Sequence, residues 1–158
     1  MESTIRNVEV FVRGVQTPVG SASPDVKCGA ETDVSGQTVT VVKAVGSCRR
    51  VREALHFLYE EESEDGSPAV KVHVVLRGRH VEVHRRGEAE VDFVFEEGFA
   101  AEAFYKTPYM TIPMTVRTQE VRVSESDAEV RITLVYELFA DKEKTADSVV
   151  EMRFLFDS

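Results

Sequence analysis

Several side chains that can bind polar groups lie on the apolar face of the predicted strands, near the ends of three of these strands. Tyr59, Tyr105 and Tyr136 each stand late in an alternating segment, and each shares the phase of its apolar positions. Glu61 and Arg85 have the same inward phase, and an inward charge near an opening must be paired, hydrated or bound to a ligand. These residues predict a site in which Arg85 anchors an anionic or polar head group while tyrosine rings line the entrance.

A simpler interpretation of these residues stays open. Tyrosine commonly buries its ring and leaves its hydroxyl wet, so the phenols and charges could face water at a rim, with Glu61 paired to Arg85. One further tyrosine falls in a predicted loop at the same end of the strands. The hypothetical ligand-binding residues are Tyr59, Glu61, Arg85, Tyr105, Tyr109 and Tyr136.

Histidines on the opposite phase suggest a second kind of chemistry. A tight turn at Gly78 would place His73 directly across from His84 on the outer face, near Glu82 and Asp92. A cross-strand histidine pair with a carboxylate can hold zinc. However, no short His/Cys/Asp motif supports a metal site, and opposite charges across strands are ordinary in sheets. We therefore expect no metal here.

Catalytic and cofactor motifs are not apparent. All four histidines have the outward phase, no Ser or Cys stands in an elbow motif, and no glycine spacing would cradle a phosphate. Cys28 and Cys48 lack a metal-ligand spacing and are expected to be reduced thiols. The acidic run at 60–65 lacks the ligand pattern of a calcium loop. The sequence favours a non-catalytic protein without a cofactor.

The elements that would position these residues are short strands. Turn residues recur about every ten residues over 70–118, a spacing typical of antiparallel sheets. The pattern predicts a first strand at 4–13, a long flexible loop at 14–37, and a charged connection at 141–147 that could carry one helical turn. Pro113 suggests an edge or a bulge. About ten strands result, and a meander of that size would close to hide its edges.

The predicted fold is therefore an all-β, single-domain, antiparallel up-and-down barrel of about 8–10 strands spanning residues 1–158. In such a meander alternate loops share one end. The longer loops and all the candidate ligand residues then fall at the same end, as expected for a barrel mouth. The loops expected at that end are 14–37, 62–69, 86–88, 107–109 and 140–147.

Composition limits the partners. The 158 residues carry a net charge of −9, and an acidic body repels phosphate backbones, so we expect no nucleic-acid partner. No apolar run is long enough to span a bilayer, and residues 1–6 do not resemble a signal peptide. A cytoplasmic location without membrane contact is expected. Both a monomer and a homodimer remain open.

Motifs across most of the chain, from about Gln37 onward, resemble the YwiB-like family of small uncharacterised bacterial proteins. The resemblance implies a single calycin-like (lipocalin-like) β-barrel and no established activity. The segments that carry it are Leu58-Tyr59-Glu60-Glu61, Arg85-Arg86-Gly87-Glu88, Val94-Phe95-Glu96-Glu97-Gly98, Thr107-Pro108-Tyr109 and Ile132-Thr133-Leu134-Val135-Tyr136-Glu137-Leu138.

Two main functional hypotheses follow, with an enzyme the weakest third. The first is a barrel that binds a small apolar or anionic molecule at its mouth; it predicts a contiguous internal cavity. The second is a filled barrel that acts as a protein-interaction or structural module; it predicts an apolar patch on the outer wall. The residues expected in that patch are Phe11, Val75, Val94, Val135 and Phe139.

Overall fold

The computed structural model describes residues 5–18, 37–62 and 69–157. These residues form ten strands in which apolar and polar side chains alternate, so that each strand buries one face. The strands are β1 (Ile5–Pro18), β2 (Thr38–Val51), β3 (Ala54–Glu61), β4 (Val70–Arg77), β5 (His80–Arg86), β6 (Glu90–Phe95), β7 (Ala100–Lys106), β8 (Thr111–Glu125), β9 (Glu129–Ala140) and β10 (Glu143–Phe156).

The strands close into a barrel in which each pairs antiparallel with its neighbours in sequence. The one exception is β1, which also pairs with β10 from Val8↔Phe156 to Pro18↔Ala146 and so closes the wall. This closed meander confirms the predicted all-β up-and-down barrel. Among the described residues, no helix is long and apolar enough to cross a membrane.

Two predicted boundaries are wrong. Strand β1 continues to Pro18, into the stretch expected to be loop, because residues 14–16 pair with both β2 and β10 and residues 17–18 still pair with β10. The rest of the predicted loop, residues 19–36, lies outside the described residues, as does most of the loop at 62–69. The charged connection at 141–147 is strand from Glu143 onward; its polar outer face hid the alternation in the sequence.

The β9–β10 turn needs an unusual backbone. Asp141 and Lys142 both have positive φ angles, 51° and 67°, a combination that matches the twist of a two-residue hairpin. Pro113 pairs with Phe104 of β7, whereas the β8–β9 ladder begins only at Met114. Pro113 is therefore an edge position on that side, as predicted.

The barrel interior is filled at one end. Phe57 of β3 and Phe154 of β10, both fully buried, stack with ring centroids 3.9 Å apart. Valines from neighbouring strands surround this pair, and such packing provides most of the folding free energy. The largest fully buried side chains are Phe57, Phe154, Ile132, Leu134, Val8, Val10, Val72, Val74, Val81, Val116, Val121 and Val130.

A register shift in β8 leaves one polar atom buried. The β8–β9 register shifts between Thr118 and Glu120, so Thr118 and Val121 are both buried. The hydroxyl oxygen Oγ1 of Thr118 has no hydrogen-bond partner among the described residues. A buried hydroxyl without a partner carries an uncompensated desolvation penalty.

We expect Thr118→Val to raise the free energy of unfolding by about 1 kcal/mol, because valine keeps the shape and removes that penalty. Urea denaturation followed by circular dichroism measures the change. Thr133→Val on the outer face of β9 is the matched control, with an expected change within about 0.5 kcal/mol. A loss of stability in Thr118→Val would mean that the hydroxyl is satisfied in solution.

Candidate ligand-binding site

The other end of the barrel contains a cavity of about 280 Å³. Its lining is mainly apolar, with phenol, guanidinium and carboxylate groups at the mouth. The lining residues are Val12, Gly14, Thr40, Val42, Tyr59, Glu61, Val83, Arg85, Phe93, Phe95, Leu134, Tyr136, Val150 and Met152.

Small inward positions explain why this end is hollow. Gly14 follows Val8, Val10 and Val12 in the inward phase of β1, but it brings no side chain. A Cβ atom placed on Gly14 would meet only the Cγ2 atom of Val150, at 3.8 Å. Thr40 holds an inward position on the neighbouring β2. Space that larger residues would fill is therefore left open on this side of the barrel.

Glu61 and Arg85 form an ion pair across the mouth of the cavity. The Arg85 guanidinium donates from Nη1 to Glu61 Oε2 at 3.0 Å and from Nη2 to Glu61 Oε1 at 2.6 Å. The side chains of Glu61 and Arg85 are 17% and 34% exposed. Burial opposes the cation, but the hydrogen bonds and charge of Glu61 outweigh it and raise the pKa of Arg85. The pair joins β3 to β5 over the intervening β4.

Two of the predicted tyrosines also line the cavity. Burial, helped by the Glu61 charge, raises the pKa of Tyr59 above its usual value. Burial also raises the pKa of Tyr136, against a smaller opposing effect from its hydrogen bond to Ser148. The Tyr136 ring lies 4.9 Å from that of Phe95, measured between centroids. Both phenols are therefore neutral near pH 7 and can act as hydrogen-bond donors or acceptors.

The other two predicted tyrosines lie outside the cavity lining. Tyr105 is partly exposed, although it is near enough to Arg85 to contribute to the raised pKa of that group. Tyr109 is 94% exposed at the β7–β8 turn. The structure thus brings together Tyr59, Glu61, Arg85 and Tyr136, and it places Tyr105 and Tyr109 farther out.

Sequence reasoning missed several members of the cavity. Gly14 falls in the predicted loop at 14–37, although its position two residues after Val12 is a signal that it faces inward. Phe93 and Phe95 stand at alternate positions with Val91, which indicates that they face inward, but nothing in the sequence distinguishes residues that fill the barrel from residues that line a cavity. No histidine, cysteine or serine is among the described lining residues, so what this lining offers a ligand is hydrogen bonds, one ion pair and apolar contact.

The residues of the predicted outer patch are less exposed than an open apolar patch requires. Val75 is buried, and Phe11, Val94, Val135 and Phe139 are all half-buried. Alternation places these residues on the outer face but does not show how much of each side chain is exposed. The strongly exposed apolar side chains on the strands of the outer wall include Val41, Val45 and Leu58, at the edge between β2 and β3.

Histidines on the outer wall form a row across three strands. His73 is paired directly with His84, as predicted, and its ring centroid lies 5.6 Å from that of His84. On the other side, Nδ1 of His56 and Nε2 of His73 are 2.9 Å apart, a hydrogen bond in which one ring must donate and the other accept. His84 Nδ1 contacts Asp92 Oδ1 at 2.7 Å. No group of three or more His, Cys, Asp or Glu among the described residues could hold a metal ion.

The row predicts loss of stability in mild acid. Burial, followed by the neighbouring rings of His56 and His84, lowers the pKa of His73 below its ordinary value of 6.5; Glu82 opposes this shift. The unfolded chain therefore binds a proton at a higher pH than the folded chain, and stability falls as the pH drops through about 6.5. We expect the free energy of unfolding to decrease between about pH 7 and about pH 5, and His73→Gln to make that decrease smaller.

The experiment is urea denaturation at several pH values. The control is His80→Gln, because the His80 ring contacts Glu82 and not His73. The pKa values of Glu82 and Asp92 are also lowered, from ordinary values of 4.5 and 3.8. Their effect on stability falls mainly below those values, and so below the pH range of this experiment. If His73→Gln showed the same pH dependence as the wild type, His73 would not be the residue whose protonation destabilises the fold.

The described geometry defines a class of protein: a closed, ten-stranded antiparallel barrel that is filled at one end and hollow at the other. The family model for a domain of unknown function, DUF1934, matches residues 26–152. The chain belongs to this family. No curated protein matches the chain.

A solved structure has the same fold. The chain is similar to the ywiB protein from Bacillus subtilis, with a TM-score of 0.76 and 16% sequence identity; the alignment covers 98% of this chain and 94% of that one. At this identity the likeness shows the fold alone. The resemblance to the YwiB-like family that the residues predict is confirmed.

Proposed function

We propose that this protein binds a small, mainly apolar molecule inside the hollow end of the barrel, without catalysing a reaction on it. The observation that supports this proposal is the 280 Å³ cavity with the Glu61–Arg85 pair at its mouth. The cavity lies just below the range of about 300–1,000 Å³ typical of pockets for drug-sized ligands. The bound part of the ligand is correspondingly small.

The polar groups at the mouth indicate what the ligand carries. Glu61 occupies one N–H of each terminal nitrogen of Arg85, and the guanidinium has further N–H groups to donate. A carboxylate, sulfonate or carbonyl oxygen on the ligand could accept from these groups, while aromatic rings of Phe93 and Phe95 contact its apolar part. The ligand is therefore an apolar molecule with one acceptor group.

Two fluorescent probes test the proposal: 8-anilinonaphthalene-1-sulfonate, and N-phenyl-1-naphthylamine, which lacks the sulfonate. Gly14→Leu places a side chain in the cavity and should weaken binding of both probes by about tenfold or more. Gly14→Ala is the matched control, because its Cβ meets only an ordinary contact at 3.8 Å. Equal affinity in Gly14→Leu and the wild type would place the probes outside the barrel and reject the proposal.

Arg85→Met tests whether Arg85 binds the acceptor group of the ligand, separately from whether the ligand occupies the cavity. The substitution should weaken binding of the sulfonated probe by about tenfold and change the affinity for the uncharged probe by less than about threefold. The reason is that only the sulfonated probe loses a charge-assisted hydrogen bond. Equal effects on the two probes would reject Arg85 as the anchor while leaving the cavity as the site. Native mass spectrometry of gently purified protein, before and after denaturation, would identify a co-purifying ligand directly.

A further inference from the structure

The barrel wall parts between β2 and β3. These strands pair only from Gly46↔Tyr59 to Val51↔Ala54. Among the described residues, the first part of β2 (38–45) pairs with β1 alone, and the end of β3 (60–61) pairs with β4 alone. In the part of the chain that the structure describes, the wall is therefore open over the half of β2 that lies nearest the mouth.

Gly46 marks the point where the strands begin to separate. A Cβ atom on this residue would collide with the backbone oxygen of Leu58 and lie 2.9 Å from the Cβ atom of Tyr59. Only glycine permits so close an approach of two backbones. The last paired position is thus held tightly, and the separation beyond it is a defined feature of the wall.

The opening coincides with a groove of about 1020 Å³ that is lined by both inward-facing and outward-facing residues of β2 and β3. Val42, Tyr59 and Glu61 line both this groove and the interior cavity. At the outer surface Val41 and Leu58 are exposed, and Val45 is 76% exposed. Apolar side chains are thus present from the outer surface through the opening to the cavity, among charged groups that also line the groove. An apolar molecule with one charged or polar group therefore finds both kinds of contact along this route. The charged lining residues are Lys43, Glu60, Glu61, Glu62 and Lys71.

The end of the barrel offers a less favourable route. There Arg85 and Glu61 are joined by two charge-assisted hydrogen bonds that cross from β5 to β3. Bonds of this type are among the stronger ones in proteins. A molecule entering past them must break or bend this pair. The groove between β2 and β3 is lined by Glu61 but not by Arg85, so a molecule that passes there does not have to come between the two side chains.

We infer that the ligand enters the cavity sideways, between β2 and β3, and that the Glu61–Arg85 pair keeps the end of the barrel shut. This inference rests on the proposed binding function. It adds a route of access, and it predicts that closing the wall will slow both binding and release without changing the equilibrium affinity.

A disulfide across the opening tests the route. Val45 and Glu60 are the first residues beyond the last pair, Gly46↔Tyr59, so a cross-link between Val45→Cys and Glu60→Cys would extend the closed part of the wall into the opening. Ser47→Cys with Leu58→Cys is the matched control, because Ser47 and Leu58 are already paired on the outer face. Both variants carry Cys28→Ser and Cys48→Ala, and intact mass confirms each cross-link. Where oxidation leaves the 45/60 pair open, dibromobimane bridges the same two thiols.

Stopped-flow fluorescence with 8-anilinonaphthalene-1-sulfonate gives the on-rate and off-rate of oxidised and reduced protein. We expect the 45/60 cross-link to slow both rates by about tenfold at nearly constant Kd, and the 47/58 cross-link to leave both unchanged. Equal rates in the oxidised and reduced 45/60 variant would overturn sideways access and favour the barrel end. Binding that is absent from the wild type, or insensitive to Gly14→Leu, would instead reject the binding function itself.

Discussion

Arg85→Met is expected to lower the free energy of unfolding by about 2 kcal/mol. Removing one partner of a fully buried ion pair costs about 3–5 kcal/mol, because the other charge is left without compensation. The Glu61 side chain is only 17% exposed, but Arg85 is 34% exposed, so water reduces the penalty. Chemical denaturation at about pH 7 measures the loss.

A double-mutant cycle separates this pair from ordinary surface charges. Glu61→Leu combined with Arg85→Met removes both charges and should cost less than the sum of the single changes, by about 1–2 kcal/mol. The same cycle on Arg50 and Glu125, whose side chains are 53% and 47% exposed, should give a coupling below about 1 kcal/mol. Equal coupling in the two cycles would mean that the mouth of the cavity is as wet as the outer wall.

Phe57→Ala is expected to destabilise the fold by about 3–5 kcal/mol, the range for truncating a buried phenylalanine. Phe57 is fully buried, and its ring stacks on Phe154 at a centroid distance of 3.9 Å. The truncation would therefore leave a void at the filled end and remove one half of an aromatic pair. Thermal and urea denaturation both measure the effect.

Phe104→Ala is the control for this truncation. Phe104 lies on the outer face of β7 and is exposed, so its loss should change the free energy of unfolding by less than about 0.5 kcal/mol. Phe57→Leu should fall between the two, since leucine refills part of the space. A small effect of Phe57→Ala would mean that the barrel collapses to fill the void.

Local patterns predicted most of the wall. Alternation identified the strands from β2 to β9 because each buries one face, and the turn at Gly78 (φ 61°) fixed the register that pairs His73 with His84. The inward phase of Glu61 and Arg85 likewise placed both charges at the mouth, with their pairing as one of two open alternatives. These features depend on residues that are close along the chain or related by a single hairpin.

Features that depend on empty space or on distant strands were not predictable in the same way. The cavity exists partly because Gly14 contributes no side chain, and an isolated glycine indicates a turn as readily as a hollow. The separation of β2 from β3 beyond Gly46 depends on the path of two whole strands. The contact of His56 with His73 is a diagonal one, which pairing register alone does not reveal.

The way the barrel closes has a consequence for its synthesis. Every ladder joins strands that follow one another in the chain, except the one between β1 and β10. Each hairpin can form soon after its two strands leave the ribosome, but β1 must wait until Glu143–Phe156 has been made. During that time the outer edge of β1 is unpaired, and unpaired edges invite pairing with other chains. Chaperone dependence should therefore be greatest late in translation, just before the last strand emerges.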